Sequence, residues 1–183
     1  MNNMRSSKLS LFLMELIIAI LFFSLSAAVC VRLFASAHIL SESTTNLENA
    51  VMWSQNLSEA FVSEKGSLSS IAHLFPDGFV SRAYEESDTD GSIILVFDDK
   101  WEPMENSLLN ASYEVIMTSR SAEASEVYSD VNTYNVPLKG KAVTGRIAVY
   151  DIRGRESLFT DISDDGADAF HQLDIDVYVG EED

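Results

Sequence analysis

Oxygen-bearing side chains in the segment Asp161–Gly166 have the spacing of a calcium-binding loop. Asp161, Ser163 and Asp165 occupy its first, third and fifth positions, and a glycine follows at the sixth. Loops of this kind surround Ca²⁺ with oxygen ligands and place a bidentate glutamate at the twelfth position, where this chain has Gln172. Two interpretations stay open: a calcium site built from these three residues, and an ordinary acidic turn that needs no cofactor.

The other side chains that could support catalysis or metal binding are scattered. His38, His73 and His171 are the only histidines, and none has a partner at the spacing of a metal site or a catalytic triad. The segment Glu86–Gly91 also has the spacing of a calcium-binding loop, but entry into a β-hairpin before the strand at Ser92 explains it. Cys30 is the only cysteine, so the chain has no intramolecular disulfide. We therefore predict that the protein is not an enzyme.

Glu15 stands alone within an otherwise apolar run. The run Leu11–Val31 contains 21 residues, and at about 1.5 Å per residue a helix of this length crosses a hydrocarbon core of about 30 Å. A carboxylate near the centre of such a span costs on the order of 2.5–3.5 kcal/mol, so it usually has a partner and a function. The alternative is that Glu15, about one turn inside the run, reaches the aqueous interface.

Charged residues predict how this span is oriented. Arg5 and Lys8 precede it and only Arg32 follows closely, which favours a cytoplasmic N-terminus and an extracytoplasmic C-terminal part. From Ser41 onward the chain has 9 basic and 28 acidic side chains, so its formal charge there is 9 − 28 = −19. A surface this acidic argues against nucleic acid as a partner.

The N-terminal segment resembles the class III signal of prepilins, the precursors of type IV pilins and type II secretion pseudopilins. A short basic leader ends at Ser10, and an apolar helix with glutamate at its fifth position begins at Leu11. The resemblance implies that prepilin peptidase cuts between Ser10 and Leu11 and that Glu15 sets the register between pilin-like subunits in a filament. Ser10 and Leu11 stand where such pilins usually have glycine and phenylalanine.

A different class of function also fits the N-terminal segment. The sequence Ala35-Ser36-Ala37 has the pattern of a signal-peptide cleavage site. The chain would then be a secreted or singly anchored extracytoplasmic binding domain that does not polymerise.

The chain beyond the span continues in a helical pattern. The first glycine is Gly66 and the first proline is Pro76, so we predict one helix from about Leu9 to Glu64. Its apolar positions beyond the membrane are spaced by threes, fours and sevens, as in an amphipathic helix that packs on a domain. The segment Ser41–Asn46 has low helix propensity and is the predicted weak point.

After Gly66 the pattern changes to that of β-strands. Short segments rich in β-branched and aromatic residues predict five strands: Ser92–Phe97, Tyr113–Thr118, Gly145–Asp151, Glu156–Ile162 and Leu173–Val179. Arg153-Gly154-Arg155 predicts a hairpin turn, and the polar segment Ser119–Asn135 predicts a loop.

These patterns predict an α+β protein in which a long N-terminal helix packs on an antiparallel, pilin-like sheet. One face of the sheet is expected to contact the helix and the other to stay polar. We divide the chain into a basic leader (1–10), the membrane-spanning half of the helix (11–32), its amphipathic outer half (33–65) and an acidic β domain (66–183). Trp53 and Trp101 are expected to be packing residues.

Overall fold

The computed structural model describes residues 3–82, 86–105, 109–129, 138–162 and 168–181, with side chains from residue 11 onward. It forms two compact units, Met1–Asn46 and Leu47–Asp183, called here the N-terminal and C-terminal units. The helices are α1 (Asn3–Ser63), α2 (Leu68–Leu74) and α3 (Ala124–Val127). The strands are β1 (Phe79–Arg82), β2 (Gly91–Phe97), β3 (Pro103–Met104), β4 (Tyr113–Glu123), β5 (Lys141–Asp151) and β6 (His171–Gly180).

The described strands of the C-terminal unit all pair antiparallel. The strands lie in the order β1-β2-β4-β5-β6, and the short β3 pairs with β2. The predicted α+β class, with a long N-terminal helix packed on an antiparallel sheet, is confirmed. β1 and β2 form the hairpin that we predicted around residues 86–91.

The last part of α1 packs on one face of this sheet. Its buried side chains are Ala50, Leu57, Ala60 and Phe61, at the predicted helical spacing. Gly145 in β5 allows a close approach, because a Cβ atom there would lie 3.1 Å from the ring of Phe61. Within the C-terminal unit, α1 and the sheet therefore enclose the main hydrophobic core.

The end of α1 has the hydrogen bonding of a helix C-cap. The Gly66 amide donates to the carbonyl of Phe61 at 2.9 Å, and Lys65 and Gly66 have φ angles of 52° and 75°. This is the pattern of a Schellman motif, in which Lys65 is the first left-handed residue after the helix and Gly66, the next, adopts a positive φ without strain. The predicted end near Glu64 is confirmed to within one residue.

The predicted weak point in α1 stays helical. The hydroxyls of Thr44 and Thr45 donate to the carbonyls of Leu40 and Ser41, at 2.9 and 3.0 Å. These side chains thus bond within the helix, where low propensity had suggested a break.

The predicted strand Glu156–Ile162 is wrong, and so is the hairpin before it. A turn is present, in which the Arg155 amide donates to the carbonyl of Ile152 at 3.0 Å. The following residues form no strand, because Leu158, Phe159 and Ile162 instead pack onto the second face of the sheet.

This packing also corrects the expectation that the second face is polar. Strand β2 is almost entirely buried, with Ile94 and Val96 on the side away from α1. They join side chains of β4 and β5 in a second hydrophobic cluster, which includes Ile116, Ala148, Tyr150 and Ile152. An uninterrupted apolar run such as Ser92–Phe97 is typical of a strand that is covered on both faces.

The predicted loop Ser119–Asn135 begins too early. Strand β4 continues to Glu123 and pairs with β5 over its whole length, and α3 follows directly. Polar residues remain in the strand because this part of it is more exposed. Residues 130–135 of the predicted loop lie outside the described residues.

Candidate functional site

The N-terminal unit exposes a long apolar helical surface. Every side chain from Leu11 to Thr45 is exposed, and Leu11, Phe23 and Phe34 keep 68%, 77% and 77% of their surface accessible. Soluble monomeric proteins rarely expose apolar patches of this extent. The helix is long and apolar enough to cross a membrane.

Glu15 is the one acidic side chain in the sequence from Leu11 to Ser41, and it is exposed among these apolar residues. It lies four positions after Leu11, so the two side chains share one face of the helix. Ser24 shows how a polar group is accommodated in this segment: its hydroxyl donates to the carbonyl of Ile20 at 2.8 Å. A carboxylate has no proton to donate in this way and needs a donor or a cation.

The predicted processing site lies within α1. The helix includes both Ser10 and Leu11, and the side chain of Ser10 lies outside the described part of the chain.

The predicted calcium loop lies mostly outside the described residues. Ser163 and Asp165 both belong to the undescribed segment 163–167. One carboxylate oxygen of Asp161 accepts a hydrogen bond from the amide of Ile162 at 2.8 Å. In the described ranges, no group of three or more histidine, cysteine or acidic residues is placed to hold a metal ion.

The acidic segment Glu86–Gly91 connects elements of the C-terminal unit. Asp88 accepts hydrogen bonds from the hydroxyls of Ser67 and Ser69, from the Ser69 amide and from Arg82, at 2.6–3.1 Å. Burial alone would raise the pKa of Asp88, but these hydrogen bonds and the Arg82 charge outweigh it, so its pKa lies below the usual value. The carboxylate joins the start of α2 to the end of β1.

Asp90 connects the same segment to strand β4. It accepts hydrogen bonds from the Ser87 hydroxyl and from the Ser121 amide in β4, at 2.8 and 2.7 Å. Asp88 and Asp90 therefore both have a structural role in the C-terminal unit.

One buried ionisable residue, Glu114 in β4, was not predicted from the sequence. Its side chain is completely buried, and one carboxylate oxygen accepts a hydrogen bond from the Phe159 amide at 2.9 Å. Within the described chain the other oxygen has no hydrogen-bond partner. Burial raises the pKa of Glu114 to about 7, although the Phe159 amide and the Arg155 charge act in the opposite direction.

The local pattern Tyr-Glu-Val-Ile-Met gave only a partial signal for this burial, namely the apolar residue Ile116. Glu114 and Ile116 are two positions apart in a strand and therefore point to the same face of the sheet. That face carries the second hydrophobic cluster.

The three histidines lie in different elements: His38 in α1, His73 in α2 and His171 in β6. Burial lowers the pKa of His171. Trp53 and Trp101 both contact Phe97, with ring centroids 4.7 and 5.5 Å away, so their predicted packing role is confirmed.

Comparison of the chain with family models, with curated proteins and with solved structures found no match.

Proposed function

We propose that this chain is a structural subunit, a minor pilin or pseudopilin, of a filament like the type IV pilus or the type II secretion pseudopilus. It would be inserted in the cytoplasmic membrane as a single-pass precursor and assembled through its N-terminal helix. The single observation that carries the proposal is the exposed carboxylate of Glu15 on an exposed apolar helix. Such a group in lipid calls for a partner from outside its own helix.

The proposed partner is the α-amino group of Leu11 in a neighbouring copy. Cleavage by prepilin peptidase between Ser10 and Leu11 would create this cation at the start of the apolar helix. Pairing it with Glu15 of an adjacent subunit compensates two charges that are otherwise costly in hydrocarbon. Because the pair forms at only one axial offset, it would also fix the register of neighbouring helices.

The charge distribution supports an extracytoplasmic location for the C-terminal unit. Arg5 and Lys8 lie before the apolar helix. The chain after Leu40 has 9 basic and 28 acidic residues and therefore a net charge of −19. The acidic surface makes nucleic acid an unfavourable partner. We propose a structural role and not a catalytic one, with lipid and other pilin-like subunits as partners.

The mass of the mature chain tests this proposal. The full chain would be expressed with a prepilin peptidase, recovered from both the membrane and the soluble extracytoplasmic fraction, and its intact mass measured. A chain that starts at Leu11, with or without N-methylation, supports assembly. A start at His38 would mean conventional secretion, and an uncut Met1 would mean a simple membrane anchor; either result contradicts the proposal.

A further inference from the structure

Strand β6 lies at one end of the described strand order. It has ten residues, and its described pairing is with β5 alone. Folded proteins usually protect such edges with lysine, proline, short strands or a covering element. The sequence of β6 contains no lysine, arginine or proline. Two aspartates are therefore the main features that discourage uncontrolled pairing.

The two sides of β6 differ in character. Leu173, Ile175 and Val177 are partly buried and pack against the main hydrophobic core. Gln172, Asp174, Asp176 and Tyr178 alternate with them and are exposed. A strand added at this edge would continue both surfaces if it alternated apolar and polar side chains in the same way.

Asp174 and Asp176 each accept a hydrogen bond at one carboxylate oxygen. Asp174 accepts a bond from Nε of Arg146 at 2.6 Å, yet its side chain remains 75% exposed. Asp176 accepts a bond from the Tyr128 hydroxyl at 2.6 Å. The charge of Asp174 is therefore partly compensated by Arg146 of β5, whereas the donor to Asp176 is a neutral hydroxyl.

These charges argue against a second copy of this chain as the partner strand. In an antiparallel pair with the apolar side chains on one face, the two nearly complete registers place Asp174 opposite Asp176, or Asp176 opposite its own equivalent. Like charges directly opposite each other destabilise a strand pair. A partner that alternates basic and apolar side chains would reverse this effect.

We propose that the outer edge of β6 binds an extended, basic segment of another protein as an additional strand. Main-chain hydrogen bonds would supply much of the affinity, and pairing of lysine or arginine with Asp174 and Asp176 would select the partner. The net charge of −17 on the whole chain would also attract such a segment. This proposal is independent of filament assembly.

The probe is a synthetic peptide of about ten residues, enough to span β6, in which lysine alternates with valine. Its ends are blocked and it carries a fluorophore. Binding to the full chain in non-ionic detergent is measured by fluorescence anisotropy, and amide hydrogen exchange identifies the segment that becomes protected. We expect binding with protection in β6. A peptide that is N-methylated at every residue keeps its charge but has no backbone N–H to donate from either edge, and we expect it not to bind.

Matched variants separate local from general charge effects. Replacing Asp174→Asn together with Asp176→Asn should weaken peptide binding about tenfold, since each pair of opposite charges contributes up to about 1 kcal/mol. The control, Glu59→Gln with Glu102→Gln, removes the same charge at exposed sites outside β6 and should leave binding unchanged.

Several results would overturn the proposal: no binding, equal binding of the N-methylated peptide, equal weakening by the control variant, or protection of a different segment. Self-association of the chain through β6 would identify a second copy as the partner and would also overturn it.

Discussion

The carboxylate of Glu114 and the backbone amide of Phe159 form a hydrogen bond of 2.9 Å beneath the segment that covers the second face of the sheet. The ring of Phe159 stacks on Tyr150, with centroids 3.9 Å apart, and the guanidinium of Arg155 lies 4.0 Å from the ring centre. A titratable group thus lies directly under the covering residues.

The C-terminal unit should lose stability as the pH rises through neutrality. The pKa of Glu114 is raised from 4.5 to about 7 in the folded protein, so the folded state retains a proton that the unfolded state has lost. The stabilisation is complete below about pH 4.5 and is lost as the pH approaches 7 and exceeds it. The contribution is on the order of 3 kcal/mol. Chemical unfolding at pH 5 and pH 8, followed by tryptophan fluorescence, measures it.

The variant Glu114→Gln isolates this effect, because the amide does not titrate. Its free energy of unfolding should change less between pH 5 and pH 8 than that of the wild type. An unchanged pH dependence in the variant would show that Glu114 is not the responsible group.

Asp88 should contribute to stability in the opposite pH range. Its pKa is lowered in the folded state, so its contribution is present at neutral pH and is lost as the pH falls through the folded pKa. Asp88→Ala should cost about 2 kcal/mol at pH 7, because it leaves Ser67, Ser69 and Arg82 without this acceptor. Asp77→Ala, at an exposed position between α2 and β1, is the control for loss of charge. Equal effects of the two variants in an unfolding experiment would refute the structural role of Asp88.

Phe61 should be among the most important side chains for folding of the C-terminal unit. It is completely buried between α1 and the sheet, and replacing such a residue by alanine costs about 3–5 kcal/mol. Phe34→Ala removes the same atoms from an exposed position of the same helix and should leave the unfolding of the C-terminal unit unchanged. A Phe61→Ala variant as stable as Phe34→Ala would contradict the described core.

Helical periodicity and strand propensity were sufficient to predict most of the architecture. The spacing of Leu57 and Phe61 predicted which face of α1 packs, and the alternation in Leu173–Val179 predicted β6 as a strand with one apolar side. Both signals are local, because the residues on one face of an element recur at a fixed period.

Tertiary contacts decided the features that the sequence did not predict. Leu158, Phe159 and Ile162 looked like a strand, but they serve as a cover over the second hydrophobic cluster. Where these three residues pack depends on the apolar side chains of β2, β4 and β5, which are distant in sequence. Glu114 was missed for the same reason, since its burial depends on this cover. The sequence also identified Glu15, whose proposed partner belongs to a neighbouring subunit and not to the same chain.

The proposed assembly depends most directly on Glu15, and incorporation of Glu15→Ala into filaments tests it. The chain would be expressed in a host that has a pilus-like assembly system, and the amount in sheared filaments would be compared with the amount in the membrane. Glu15→Ala should insert at least as well as the wild type, because a charge has been removed from the span. Glu48→Ala, at an exposed position in the C-terminal part of α1, is the control.

We expect the share of Glu15→Ala in filaments to fall at least about tenfold, since loss of one partner of a desolvated ion pair costs several kcal/mol, while Glu48→Ala assembles normally. Incorporation of Glu15→Ala at the wild-type level would contradict the account.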